Sequence, residues 1–223
     1  MKRRQFTAGL VGVSAWPAFV QAAVSETDAA SGIRAALERG AGSAVSLLGR
    51  NDGFLGNPKV RIPLPGYLNQ AAKLLRATGQ GHKVDELETA MNRAAEAAVP
   101  EAKTLLVSAA KSISVDDALK IVRGGDTSVT DYFAGKTRTP LGEKFLPIVT
   151  RATQKVSLAD RYNDVAGKAL AMGLVKKEDA NVQQYVTAKA LDGLYLMIGE
   201  EEKRIRADPV GTGSAILKKV FGF

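Results

Sequence analysis

The polar residues best spaced for chemistry are Asp85, Glu88, Asn92 and Glu96, at intervals of three, four and four. On a helix that spacing places all four on one face, opposite Val84, Leu87, Met91, Ala94, Ala95 and Ala98. Carboxylates sharing a face can hold a cation or divide the roles of acid and base. Arg93 lies to one side and can pair with Glu96. Asp85, Glu88 and Glu96 are therefore the catalytic or cation-site candidates, with Asn92 and Arg93 as ligand-binding candidates beside them. The same spacing also describes a solvated helix face with local ion pairs, each worth about 0.2–0.5 kcal/mol, and that is the plainer reading. His82, the single histidine, stands at the start of this helix and reads as a surface or capping residue rather than a base.

Composition removes several chemistries. There is no cysteine, which excludes disulfides, thiolate catalysis, zinc ribbons and iron–sulfur clusters. One histidine excludes a multi-histidine metal site, so any metal would need hard oxygen ligands. Gly135-Lys136-Thr137 resembles the end of a phosphate-binding loop, but position 130 is threonine where the motif needs glycine. Asp126 to Asp131 alternates oxygen-bearing residues like a calcium loop, yet Asp131 stands where glycine belongs and Thr137 where glutamate belongs. Gly79-Gln80-Gly81 and Gly211-Thr212-Gly213 are half a dinucleotide fingerprint with no strand before them. No Gly-x-Ser-x-Gly occurs. Neither a cofactor nor a metal is expected.

Two other groups of residues could meet a ligand. Phe54, Tyr67, Tyr132, Phe133, Phe145, Tyr162, Tyr185 and Tyr195 could line a pocket, although a core is the simpler reading. Their hydroxyls need partners if buried. The basic end, Lys203, Arg204, Arg206, Lys218 and Lys219, is the surface-binding candidate, with Phe221 and Phe223 suited to a membrane surface. The formal charge is +8, of which Lys2, Arg3 and Arg4 supply three. No partner is named by the sequence. An envelope protein or an anionic membrane surface fits the basic end, and nucleic acid is not expected outside the cytoplasm.

The elements that would position these residues are helical. The anchor is 181–206, whose middle is apolar on almost every side and so must be buried on several. Other helices are expected over 25–49, 66–78, 82–99, from Pro100 to Ile113, from Ser114 to Val122, over 126–136, from Thr139 with a kink at Pro147, from Ser157 to Gly173, and after Asp208. The irregular stretch 50–65 carries Phe54, Leu55, Val60, Ile62 and Leu64, and should pack onto the body. The count is nine or ten helices in one all-α compact domain, residues 23–223. Residues 1–22 precede it as a signal peptide: three positive charges, a weakly apolar run and Val20-Gln21-Ala22 before a cleavage point. Arg3-Arg4-Gln5-Phe6 resembles the twin-arginine signal. No later segment is apolar enough to span a membrane.

The segments GFLGNPKVRIPLP (53–65), VDELETAMNRAAEAAVP (84–100), DDALKIVRGGDTSVTDYF (116–133), YVTAKALDGLYLMIGEEEKRIRADP (185–209) and LKKVFG (217–222) resemble a family of exported bacterial proteins known as domain of unknown function 4197. The resemblance implies a mostly helical periplasmic or envelope protein of proteobacteria. It brings no activity, substrate or catalytic residue. Some members carry lipoprotein-type leaders, from which this cysteine-free chain departs, so a soluble periplasmic form is expected. Three functional readings follow: a non-enzymatic binding or envelope-associated factor first, then a carboxylate-based enzyme or cation site on 82–99, then a carrier of an apolar or lipid ligand.

Overall fold

The computed structural model describes residues 26–176, 179 and 181–208. Eight α-helices and two short 3-10 turns carry them, and no strand occurs among the described residues. The helices are α1 (Glu26–Leu48), α2 (Asn69–Ala77), α3 (Gly81–Ala98), α4 (Ala102–Lys111), α5 (Val115–Arg123), α6 (Ser128–Thr153), α7 (Ser157–Ala171) and α8 (Val182–Ala207). The leader at 1–22 and the expected last helix after Asp208 lie outside the described residues.

The all-α class holds, but the expected count of nine or ten helices is too high among the described residues, where eight stand in place of nine. The main reason is α6. Proline at 140 argued for a helix start near Thr139, separate from a short helix over 126–136. The chain instead forms one helix of 26 residues with Pro140 and Pro147 inside it. Its buried residues are Val129, Phe133, Thr137, Leu141, Phe145, Val149 and Thr153, one every four positions from end to end. Both prolines fall off that stripe. The carbonyls they leave without a donor belong to Lys136 and Glu143, both exposed, where water can serve them. Burying an unbroken stripe outweighs the loss of two internal hydrogen bonds.

α3, α6 and α8 form the inner set, each packing on the other two. α1 covers α8 and also packs on α4 and α5, while α2 and α7 lie against α3. α8 buries 14 residues, including Tyr185, Leu191, Leu194, Tyr195 and Ile198. Each large apolar side chain contributes roughly 1.5–3 kcal/mol on burial. Asn181 caps the helix by accepting from the Gln184 amide at 2.8 Å. Ser114 caps α5 in the same way, accepting from Asp117 at 3.0 Å. Ser157 does not cap α7, which begins at Ser157 itself with Val156 in the cap position.

The stretch 49–65 packs onto the body as its composition demands, with Phe54, Val60, Ile62 and Leu64 buried. Gly193 makes that possible. A Cβ there would stand 2.8 Å from Phe54 Cε1 and 3.2 Å from Val60 Cβ, so the loop seats directly on the α8 backbone.

Candidate functional site

The polar face of α3 does not stay together as a site. Asn92 is fully buried and turned onto the loop. Its Oδ1 accepts from the Ile62 amide at 2.8 Å and its Nδ2 donates to the Ile62 carbonyl at 2.9 Å. One turn on, Glu96 Oε1 accepts from the Phe54 and Leu55 amides at 3.0 and 3.1 Å. Its Oε2 accepts from Arg93 Nη1 at 2.7 Å, and Arg93 Nη2 donates to Asp52 Oδ1 at 2.8 Å. These bonds to the two carboxylates raise the Arg93 pKa, the Glu96 bond most. The loop has no ladder of its own, so its buried backbone groups take side-chain partners from α3 instead.

Asp85 and Glu88 face a different neighbour. Arg76 Nη2 lies 3.1 Å from Asp85 Oδ1 and 3.9 Å from Glu88 Oε1, and Arg61 lies 3.5 Å from Glu88 Oε2. Glu96 stands about 12 Å further along the axis from Glu88 and does not join them. Asp85 is exposed, as is His82. No group of three or more histidine, aspartate or glutamate side chains among the described residues is placed to hold a metal ion.

The basic end of α8 divides in a similar way. Lys203 is exposed, and Arg204 pairs with Glu201 one turn back. Arg206 is mostly buried and bonds Glu202 Oε1 at 2.9 Å, Ser128 Oγ at 2.9 Å and the Ile121 carbonyl at 3.2 Å. Glu202 in turn accepts from the Val129 and Thr130 amides at 3.2 and 3.1 Å, capping the first turn of α6 from outside. Lys218 and Lys219 lie outside the described residues.

The feature best shaped to receive something lies elsewhere. α2 and α7 both lean on α3, and between them opens a cleft of about 260 Å³. Its walls are Leu64, Leu68, Leu74, Leu75, Val84, Leu87, Leu158 and Val165, with Ala71 and Ala72 leaving the space. Leu74 is 65% exposed and Val165 48%. α2 buries Ala72 alone among its residues, so its leucines point at the cleft without closing it. Only Tyr162 and Arg161 interrupt the apolar lining.

Tyr162 is 2% exposed. Its ring sits beside Tyr185, with centroids 6.3 Å apart. Four buried side-chain polar atoms lack a hydrogen-bond partner among the described residues; one is Tyr162 Oη, which has under 1 Å² of accessible surface and so turns away from the cleft that its ring helps to line. Leaving such a hydroxyl unpaired costs about 1–3 kcal/mol. The other core tyrosines are satisfied: Tyr185 Oη donates to the Pro63 carbonyl at 3.0 Å, and Tyr195 Oη meets Thr137 Oγ1 at 2.8 Å. Burial pushes the Tyr162 pKa far above the ordinary value, with the nearby Tyr67 hydroxyl adding to the shift although it is outside hydrogen-bond geometry. Tyr185 is raised to about 12, again chiefly by burial.

Sequence reasoning placed Tyr162 in the aromatic set but missed Arg161 and the cleft. The signal was present in and just before α2, where Leu68, Leu74 and Leu75 form an apolar face that nothing in the sequence marks as half-covered. No helix among the described residues is long and apolar enough to cross a membrane. No curated protein and no solved structure matches the chain. A family profile described as protein of unknown function, DUF4197, matches residues 23–222, and with nearly the whole chain covered the protein belongs to that family.

Proposed function

We propose that this is a periplasmic, non-enzymatic binding factor whose cleft between α2, α3 and α7 takes an apolar ligand. The observation carrying this reading is the cleft itself: apolar walls, exposed leucines, and one exposed arginine in the lining. Ligand sites are commonly concave, mostly apolar and furnished with a few polar groups that fix orientation. Export is supported by residues 1–22, whose paired arginines suit the twin-arginine route. The exposed Lys203, beside Arg204, supports an encounter with an anionic envelope surface. The carboxylates first weighed as catalytic serve other ends here: Glu96 holds a loop, while Asp85 and Glu88 pair with arginines.

Native mass spectrometry of the mature protein, taken gently from the periplasm, tests the reading. A reproducible added mass that extracts into organic solvent is the expected result. A clean apo chain that also fails to take up any apolar probe refutes it. Fractionation of cells expressing the Arg3→Lys, Arg4→Lys double variant tests the route, with precursor retained in the cytoplasm as the expected outcome.

A further inference from the structure

Building on the apolar-ligand reading, one residue of α7 defines what the polar end of the ligand must be. Arg161 lines the same cleft, is exposed, and has no ion-pair partner among the described residues. Its guanidinium donates and cannot accept. Asp160 and Asp164, the acids nearest on the helix, are exposed and do not line the cleft. The lining therefore offers apolar walls and one positive charge whose guanidinium donates.

We infer that the cleft binds a single-chain amphiphile with an anionic head. The chain lies along Leu64, Leu68, Leu75, Leu87 and Leu158, and the head accepts from Arg161. A neutral apolar ligand would leave that guanidinium without a partner, and a cationic one would meet its charge. A fatty carboxylate and a one-chain anionic phospholipid share this chemistry.

The test uses the mature chain, residues 23–223, freed of lipid, and calorimetric titration with three probes below their micelle concentrations. These are dodecanoate, dodecanol, and phosphatidylglycerol carrying a single dodecanoyl chain. Dodecanoate should bind about tenfold more tightly than dodecanol, as expected for a charge-assisted contact. Arg161→Gln should remove most of that difference and leave dodecanol binding unchanged. Ala71→Trp, at an exposed position on the wall, should abolish binding of every probe without changing the melting temperature. The tighter of the two anionic probes identifies the source of the head, and either order supports the inference.

Equal affinity for dodecanoate and dodecanol, both lost in Ala71→Trp, would overturn the anionic head while the apolar-ligand reading stands. No binding of any probe, or binding indifferent to Ala71→Trp, would overturn both. A dimer that Ala71→Trp dissociates, with no probe bound, would give the cleft to another copy of the chain and overturn the inference.

Discussion

The Asn92–Glu96 face of α3 and the cleft between α2 and α7 lie on the same helix and treat buried polar atoms in opposite ways. On the α3 face, both Asn92 polar atoms and both Glu96 oxygens have partners, four of them backbone groups of the 49–65 loop. Behind the cleft, the Tyr162 hydroxyl is as deeply buried and has none. The α3 face suggests function in sequence because it is polar and periodic, and its buried half holds the loop. The residues of the cleft read as ordinary core in sequence, and they surround an open space. A buried polar group that is fully satisfied stabilises a fold, and one left open costs it stability.

The comparison breaks most readily at its satisfied end. Asn92→Ala orphans the amide and carbonyl of Ile62 together, and roughly 3 kcal/mol of stability should be lost. Urea unfolding measures it. A loss below about 1 kcal/mol would mean that water or a loop shift serves those groups, and Asn92 would not be a clamp. Glu202 is the same device at the other end of the body, a buried glutamate accepting two consecutive amides beside an arginine. Glu202→Ala should cost less, about 2 kcal/mol, because Arg206 keeps Ser128 and the Ile121 carbonyl as partners.

These two clamps also show what the sequence made legible. Helix identity was readable wherever periodicity and caps agreed, as in α8 with Asn181 and α5 with Ser114. In α6 two signals conflicted, proline at 140 and 147 against a four-residue stripe from Val129 to Thr153, and the local rule was given too much weight. The stripe was in the sequence all along. The partners of Asn92, Glu96 and Glu202 were not, because backbone amides carry no residue identity and lie 30 to 73 positions away. Nor was the cleft, because an apolar face on α2 reads alike whether or not a neighbour covers it. Exposure is a property of the assembled helices.

Alkaline pH sharpens the contrast without any substitution. Folding raises Tyr185 from the ordinary value of 10.0 to about 12. A group raised by folding contributes stability that is full below its unfolded pKa and is lost as pH rises through the folded one. Melting temperature should therefore hold below pH 10 and fall from there to about 12. Tyr185→Phe should flatten the upper part of that fall. If the curve of Tyr185→Phe matches the parent, deprotonation of Tyr185 is not coupled to folding and its hydroxyl is better solvated than its burial implies.

The smallest expected effect is the most informative, because its sign reverses. Asn92→Ala and Tyr162→Phe each delete a buried polar group. In Tyr162→Phe the deleted hydroxyl has no partner, so the ligand-free protein should gain up to about 1 kcal/mol where Asn92→Ala loses several times that. The same variant should bind dodecanoate as the parent does, because the hydroxyl has no surface on the cleft. A Tyr162→Phe protein that is instead destabilised by about 1 kcal/mol or more would show that the hydroxyl already has a partner in the apo protein, with Tyr67 able to provide it. The cleft would then differ from the α3 clamp in exposure alone, each with its buried polar atoms paired.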